Sequence, residues 1–166
     1  SGETLAEKYL VKNMGCLSCP IRCGRVVEVD GKQVKGPEFE TLGLFGSNIL
    51  NNDLTLINKW NRQMDLLGLD TISCGNTIGF AIELTQKGLL KSDLKFGEFG
   101  WMDQLLEDIA HRRGIGNDIA EGSRAMARKY GGEEFAINAR GLEVACYDPR
   151  SSVGMGLGYE IGRASC

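Results

Sequence analysis

The chain has 166 residues, of which 42% are hydrophobic and 25% charged, and its formal net charge is −3. These values are typical of a folded domain and exclude a disordered tail. Because the sequence shows no apolar run of roughly 18–20 residues, no secretory leader and no basic patch, we expect a cytoplasmic protein that neither enters a membrane nor binds nucleic acid.

Apolar spacing and capping residues predict a mainly α fold, an irregular multi-helix array with a small β-hairpin near residues 25–35. Asp30-Gly31 marks the hairpin turn, because a type I′ turn favours this pair. Asp53 and Asp118 are predicted N-caps, and Gly68 is a predicted helix stop. In chain order the predicted elements are a helix at 4–13, the hairpin at 25–35 as the one ribbon, and helices at 53–68, 71–87, 101–113 and 118–130.

The remainder of the chain, from residue 133, is less regular. Residues 153–158 are too rich in glycine to predict an independent helix. We expect residues 1–140 to form a helical domain, and residues 141–166 to begin a following, truncated helical domain. The abrupt end of the sequence indicates a piece of a longer protein.

Three cysteines, Cys16, Cys19 and Cys23, lie within eight residues of a loop punctuated by glycine and proline. In a chain without a secretory leader, such a cluster indicates metal binding before it indicates disulfides. The uneven spacing favours an iron–sulfur cluster over structural zinc, with free buried thiols as the third interpretation. A four-iron cluster needs a fourth ligand, for which Cys74 is the candidate within this chain.

A second pattern is the acidic turn at residues 65–70, where Asp65 and Asp70 flank a predicted helix stop at Gly68. A sharp turn there could aim both carboxylates at one ligand. A carboxylate accepts two parallel N–H bonds, which suits the amino-pyrimidinone edge of a pterin. The plainer interpretation is that Asp65 lies on a solvated helix face and that Asp70 caps the next helix.

A third pattern places Glu38 and Glu40 directly after a rigid Gly36-Pro37 turn. Either carboxyl group could donate or accept a proton if burial raised its pKa towards neutrality. On the residues alone, solvated loop charges are the simpler interpretation.

Taken together, these segments resemble the tungsten-containing aldehyde ferredoxin oxidoreductase family. The order and separation of the matching stretches agree with that family, and the resemblance covers essentially the whole chain. The cysteine triplet followed about forty residues later by Asp-x-x-Gly-Leu-Asp is the specific feature. The matching stretches are residues 15–24, 36–41, 65–73 and 141–150.

The resemblance implies a function for each pattern. Family members hold tungsten, or molybdenum, between two pterins, and a nearby [4Fe–4S] cluster passes electrons to ferredoxin or a similar carrier. They oxidise small aldehydes to carboxylic acids, and some relatives instead reduce the ring of an aromatic acyl-CoA. Glu40 matches an acidic residue near the metal that handles protons or orients the substrate. The implied cofactor residues are Cys16, Cys19 and Cys23 for the cluster, and Asp65, Gly68, Leu69 and Asp70 for one pterin.

The sequence departs from the family in what it lacks. The family's fourth cluster cysteine belongs to a second Asp-x-x-Gly-Leu-Cys box that this chain does not reach, and an N-terminal β-rich domain is also missing. We therefore expect the isolated fragment to be inactive. Some members bind a single iron across a dimer interface, so the resemblance is compatible with a homodimer. In this chain the helix before Gly68 carries Lys59 and Arg62, and we therefore do not transfer the iron site.

Two alternatives stay open at this stage. The first is a zinc-stabilised helical module that binds a partner protein. The second is a ring-reducing relative within the same family.

Overall fold

The computed structural model describes residues 2–161 of the chain. About 51% is helical, which confirms the mainly α fold class. Within the described residues no helix combines the length and the apolar character that a bilayer span requires. The α-helices are α1 (Gly2–Lys8), α2 (Phe39–Leu44), α3 (Leu54–Leu67), α4 (Thr71–Gln86), α5 (Met102–Ala110), α6 (Ile115–Ile119), α7 (Ser123–Tyr130) and α8 (Val153–Glu160).

The predicted hairpin is present and belongs to a larger sheet. Strands β1 (Leu10–Met14), β2 (Gly24–Val29) and β3 (Lys32–Lys35) form an antiparallel sheet in the order β1-β2-β3. Asp30 and Gly31 both have positive φ, 51° and 72°, as a type I′ turn requires. A second, two-stranded sheet pairs β4 (Asn138–Ala139) with β5 (Leu142–Glu143).

The prediction of a single two-stranded ribbon, with a helix over residues 4–13, is therefore wrong. Helix α1 ends at Lys8, and the next residues form β1 along the free edge of β2. Residues 11–14 are exposed and offer a helix no apolar stripe to bury, whereas pairing with β2 satisfies their backbone groups.

Helices α3 and α4 begin and end where the capping residues predict. Asp53 accepts a hydrogen bond of 2.8 Å from the Thr55 N–H at the start of α3. Gly68 adopts the left-handed conformation and ends that helix. Asp70 then accepts from the Ser73 N–H at 2.8 Å and starts α4, so the interpretation of Asp70 as an N-cap is confirmed.

The core surrounds α4, which packs against α2, α6 and α7. Trp60 of α3 is 1% exposed, and its ring lies 6.3 Å from that of Phe45 and 5.5 Å from that of Phe99. Burying aromatic and aliphatic side chains of this size is the main driving force for folding. The largest buried side chains include Trp60, Phe45, Ile49, Met64, Ile78, Ile82, Leu84, Met102 and Leu106.

The helix predicted at residues 118–130 is two helices instead. Helix α6 contains Asp118, which therefore is not its N-cap, and α7 begins after a turn closed by the bond from Gly122 N–H to Ile119 O. Asp118 accepts hydrogen bonds from Lys129 and Tyr130, so its charge joins the two helices. Helix α5 is also shorter than predicted, because the chain turns after Ala110.

Residues 153–158, which the sequence indicates are too rich in glycine for an independent helix, do lie in a helix. Helix α8 forms there, and the Gly156 N–H donates to the Ser152 carbonyl at 2.8 Å. None of its side chains is buried, so the helix rests on backbone bonds and on packing against residues 149–151. The predicted domain division at residue 140 stays a prediction, and the last five residues of its second part lie outside the described chain.

Candidate functional site

The cysteine loop connects β1 to β2 and projects from the sheet. Cys16 and Cys23 are exposed, Cys19 is partly buried, and all three thiols are free. The Cys19 N–H donates to the Cys16 carbonyl at 3.0 Å, which closes a tight turn, and the Arg25 guanidinium donates to the Cys23 carbonyl. The loop therefore carries three available thiols on a backbone that is fixed at both of its ends.

Two of the three thiols share one pocket. Cys16 and Cys19 line a depression of about 310 Å³ together with Arg22, whereas Cys23 is not part of that lining. Over residues 2–161, no three or more His, Cys, Asp or Glu side chains are grouped closely enough to hold a metal ion. The donor chemistry of the loop fits a thiolate-bound cluster, and the structure brings together two of its three predicted ligands.

Cys74, the candidate fourth ligand, lies elsewhere. It is buried in α4 and lines a different cavity, near the acidic turn. Burial, with a smaller contribution from the charge of Asp70, raises the pKa of its thiol to about 12. Cys74 and the loop cysteines therefore line different cavities, and this position separates Cys74 from the loop site in the structure.

The acidic turn opens onto the larger cavity, which has a volume of about 540 Å³. Gly68, Leu69 and Asp70 form part of its wall, whereas Asp65 is exposed and does not line it. The structure thus brings three of the four predicted pterin residues to one cavity. A volume of this size is within the range of small-ligand sites.

Further residues of the cavity lining come from later in the chain and were not predicted. Glu143 of β5 is 6% exposed and accepts hydrogen bonds from the Ser123 N–H at 2.7 Å and from the Ser123 Oγ at 2.9 Å. Thr77 of α4 also lines this cavity, and its hydroxyl has no hydrogen-bond partner among the described residues. Polar groups held in this way fit a polar ligand such as a pterin. The one sequence signal was the position of Glu143 within a stretch that resembles the family.

Glu40 is not a solvated loop charge. It lies in the first turn of α2, is partly buried, and accepts a hydrogen bond of 2.7 Å from the Cys146 N–H. Burial first, and then a hydrogen bond between the thiol itself and the Glu40 side chain, raise the pKa of the Cys146 thiol to about 11. Glu38, in contrast, is exposed and lies 3.6 Å from Lys35.

Direct contacts connect these regions. The hydroxyls of Thr41 and Thr71 lie 2.8 Å apart, which ties the residue after Glu40 to the residue after Asp70. The Asn61 side chain, one turn before Asp65, donates to the Lys35 carbonyl at 3.0 Å.

The same path continues to the cysteine loop. The Gly36 N–H donates to the Arg25 carbonyl at 2.8 Å, two residues after Cys23. Glu40, the acidic turn and the base of the cysteine loop therefore lie on adjoining elements.

Comparison with known proteins identifies the family to which this mainly helical chain belongs. Residues 1–164 match the family described as aldehyde ferredoxin oxidoreductase, domains 2 and 3. The chain belongs to this aldehyde ferredoxin oxidoreductase family, which confirms the resemblance noted from the sequence.

Named relatives agree with this assignment. The chain is 42% identical over 175 residues to the tungsten-containing aldehyde ferredoxin oxidoreductases of Thermococcus kodakarensis and of Pyrococcus furiosus. It is 32% identical over 162 residues to the WOR-like subunit of an aliphatic sulfonate oxidoreductase of Pyrococcus furiosus. All of the chain aligns with the first two proteins but only 29% of their length, so the chain spans less than a third of these relatives.

A solved structure shares the fold. The chain superposes on the active-site complex BamBC of benzoyl coenzyme A reductase, solved with 1,5-dienoyl-CoA, with a TM-score of 0.69. The match covers 89% of this chain and 24% of that one, at 25% identity.

Proposed function

We propose that the full-length protein containing this chain is a tungsten-dependent oxidoreductase that oxidises small aldehydes to carboxylic acids and passes the electrons to ferredoxin or a similar carrier. The observation that supports the proposal is the hydrogen bond between Thr41 and Thr71, which connects the residue after Glu40 to the residue after Asp70, although Glu40 itself does not line the 540 Å³ cavity. Identity of 42% to proteins named for this activity supports it.

In this proposal the chain holds parts of two cofactors. Cys16, Cys19 and Cys23 would bind three irons of a [4Fe–4S] cluster, with the fourth ligand outside the chain. Asp65, Gly68, Leu69 and Asp70 would hold one pterin of a tungsten, or molybdenum, cofactor. When bound, the metal takes up two electrons and the cluster transfers them onward singly.

Glu40 would manage protons at this site. Oxidation of an aldehyde with water yields a carboxylic acid, two electrons and two protons, so a proton acceptor is needed near the reacting carbon. The Cys146 N–H donates to Oε2 of the Glu40 carboxylate at 2.7 Å and so orients the group that would receive the proton. Cytoplasmic location and a homodimeric assembly are also part of the proposal.

The first test is the metal content of the full-length protein, purified without oxygen. We expect tungsten or molybdenum, about four irons per chain, and aldehyde-dependent reduction of ferredoxin. About one zinc per chain, no tungsten or molybdenum, and unfolding on chelation would instead establish the zinc-stabilised binding module.

A matched pair of variants tests the role of Glu40. Glu40→Gln keeps the shape of the side chain and its bond to the Cys146 N–H but cannot accept a proton. We expect the turnover rate to fall roughly 10²- to 10⁴-fold, with unchanged metal content. Glu38→Gln, in the exposed neighbouring position, should behave like the wild type, and equal turnover in both variants would remove Glu40 from the mechanism.

Ring reduction of an aromatic acyl-CoA is the second candidate, because the fold matches BamBC with a TM-score of 0.69. The lower identity of 25%, against 42% for the aldehyde enzymes, places it second. A substrate panel of aldehydes, an aromatic acyl-CoA with its dienoyl product, and an aliphatic sulfonate decides between these activities.

A further inference from the structure

The hydroxyl of Thr77 is the unexplained polar group of the 540 Å³ cavity. Thr77 is 1% exposed and lines this cavity, yet its Oγ1 has no hydrogen-bond partner within residues 2–161. A threonine inside a helix commonly bonds to the carbonyl four residues earlier. Thr85 of the same helix does so, donating to the Ala81 carbonyl at 2.9 Å.

Because a buried hydroxyl without a partner destabilises the fold, its presence at a cavity wall indicates a partner that arrives with a ligand. Asn58 and Trp101 also carry buried, unpartnered atoms, but neither lines this cavity.

Glu143 presents a second polar group to the same cavity. Its Oε1 accepts both bonds from Ser123, at 2.7 and 2.9 Å, which locks the carboxylate in place. Both bonds go to Oε1, so Ser123 leaves the second oxygen, Oε2, able to accept a further hydrogen bond. A fixed carboxylate with one free oxygen is a ready acceptor for an N–H group.

The charges around the cavity select the type of ligand. Asp70, Glu121 and Glu143 are acidic, and Arg112 is the basic residue of the lining, where it pairs with Glu121. A phosphate or carboxylate would meet net repulsion, whereas a neutral ring with N–H donors would find free acceptors.

We propose that Thr77 and Glu143 bind the N–H-bearing edge of a planar heterocycle, with the aminopyrimidine end of the cofactor pterin as the ligand, in the cavity that the acidic turn also lines. This inference rests on the proposed function. It adds two contacts, from α4 and β5, to those of the turn.

The test is binding of free pterin, followed by its fluorescence, to the cofactor-free full-length protein. Lumazine, which has a second carbonyl in place of the 2-amino group, is the matched ligand. We expect pterin to bind at least tenfold more tightly than lumazine. Absent pterin binding, or equal affinity for the two rings, would overturn the inference.

Three variants locate the contacts. Thr77→Val removes the hydroxyl at nearly constant shape, and Glu143→Gln replaces an acceptor oxygen by a donor. Each should weaken pterin binding at least tenfold. Asn58→Leu removes an equally buried, unpartnered amide outside the cavity and should leave pterin affinity unchanged.

The melting temperature of the cofactor-free Thr77→Val protein separates binding from structure. It should equal or exceed that of the wild type, because no bond within the described chain is lost. Wild-type pterin affinity in Thr77→Val would contradict the proposal.

Cofactor content keeps this inference distinct from the proposed function. If the wild type purifies with tungsten and pterin while Thr77→Val and Glu143→Gln retain both in full, the inference fails and the function stands. If the wild type contains no pterin, tungsten or molybdenum, the proposed function fails. The titration with free pterin then decides whether the cavity binds this ring.

Discussion

The Asp118 carboxylate links α6 to α7 at the level of single residues. It accepts hydrogen bonds from Lys129 at 2.8 Å and from Tyr130, and its side chain is 18% exposed. The bond from Lys129, followed by that from Tyr130, holds the pKa of Asp118 below its ordinary value of 3.8. A carboxyl with a lowered pKa stabilises the fold above its unfolded-state pKa, and this stabilisation is lost as pH falls through the folded-state value.

We therefore expect Asp118→Asn to lower the free energy of unfolding by about 1–2 kcal/mol at pH 7, since it removes a charged acceptor. The difference from the wild type should shrink as the pH falls below 3.8 towards the lowered pKa of the folded wild-type carboxyl, where that group also loses its charge. Urea unfolding at pH 7, 5 and 3 measures it, with the exposed Asp93→Asn as control. An equal difference at pH 3 and pH 7 would contradict the assignment.

The thiols of this chain differ in access, and their reactivity should follow. Cys16 and Cys23 are exposed, whereas Cys74 is buried, with a pKa raised to about 12, and Cys146 is partly buried, with a pKa of about 11. Because the thiolate is the reactive form, iodoacetamide at pH 8 should label Cys16 and Cys23 first in the cofactor-free protein.

Peptide mass spectrometry over a time course reads out this order. Unfolding in urea is the control, and it should make Cys74 and Cys146 as reactive as the loop cysteines. Labelling of native Cys74 at the rate of Cys16 would show that α4 opens on the same timescale.

At the scale of elements, local chemistry made part of the fold predictable. Asp53 and Asp70 cap their helices, and Gly68 ends α3, through hydrogen bonds to residues no more than four positions away in the sequence. The local sequence pattern therefore predicts α3, the turn and α4 directly. Strand β1 forms by pairing with β2, which follows after a nine-residue loop. No periodicity within residues 10–14 predicts that pairing.

The candidate site likewise has parts that the sequence predicts and parts that it does not. The cysteine loop and the acidic turn are contiguous motifs and could be recognised in the sequence. The contact of Glu40 with Cys146 joins residues 106 positions apart, and the wall formed by Thr77 and Glu143 arises because α4 packs beside β5. Such neighbours follow from tertiary packing, which a single sequence does not encode locally.

The junction of α5 and α6 depends on a close backbone approach at Gly116. A methyl group added there would lie 2.3 Å from the Asp108 carbonyl carbon, so Gly116→Ala must push the two helices apart. We expect the free energy of unfolding to fall by about 1–3 kcal/mol, the usual cost of overpacking.

Gly100→Ala is the matched control, because a methyl group there meets no atom within 4 Å. Thermal or urea unfolding of the two variants compares them directly. Equal stability of the two proteins would mean that the α5–α6 contact is looser in solution.

On the scale of the whole molecule, buried residues are concentrated around α4. More than half of the residues of α4 are buried, whereas α8 has no buried residue, and α1 has Leu5 alone. Leu17 is 98% exposed, Ile21 78% and Val153 90%, so the three most exposed large apolar side chains lie in the cysteine loop and at the start of α8. The burial of side chains therefore falls from α4 towards the cysteine loop and α8.

The burial gradient predicts the pattern of amide hydrogen exchange in the isolated chain. Amides of α4 should exchange through global unfolding, whereas those of α8 and the cysteine loop should exchange through local opening, at least about a thousandfold faster. Deuterium uptake by mass spectrometry, analysed by peptide, measures this. Ile82→Ala, which creates a cavity in the core, should accelerate exchange in α4 and leave α8 unchanged, because α8 already opens independently of the core. Equal protection of α4 and α8 in the wild type would mean that α8 is held by contacts that its exposure does not reveal.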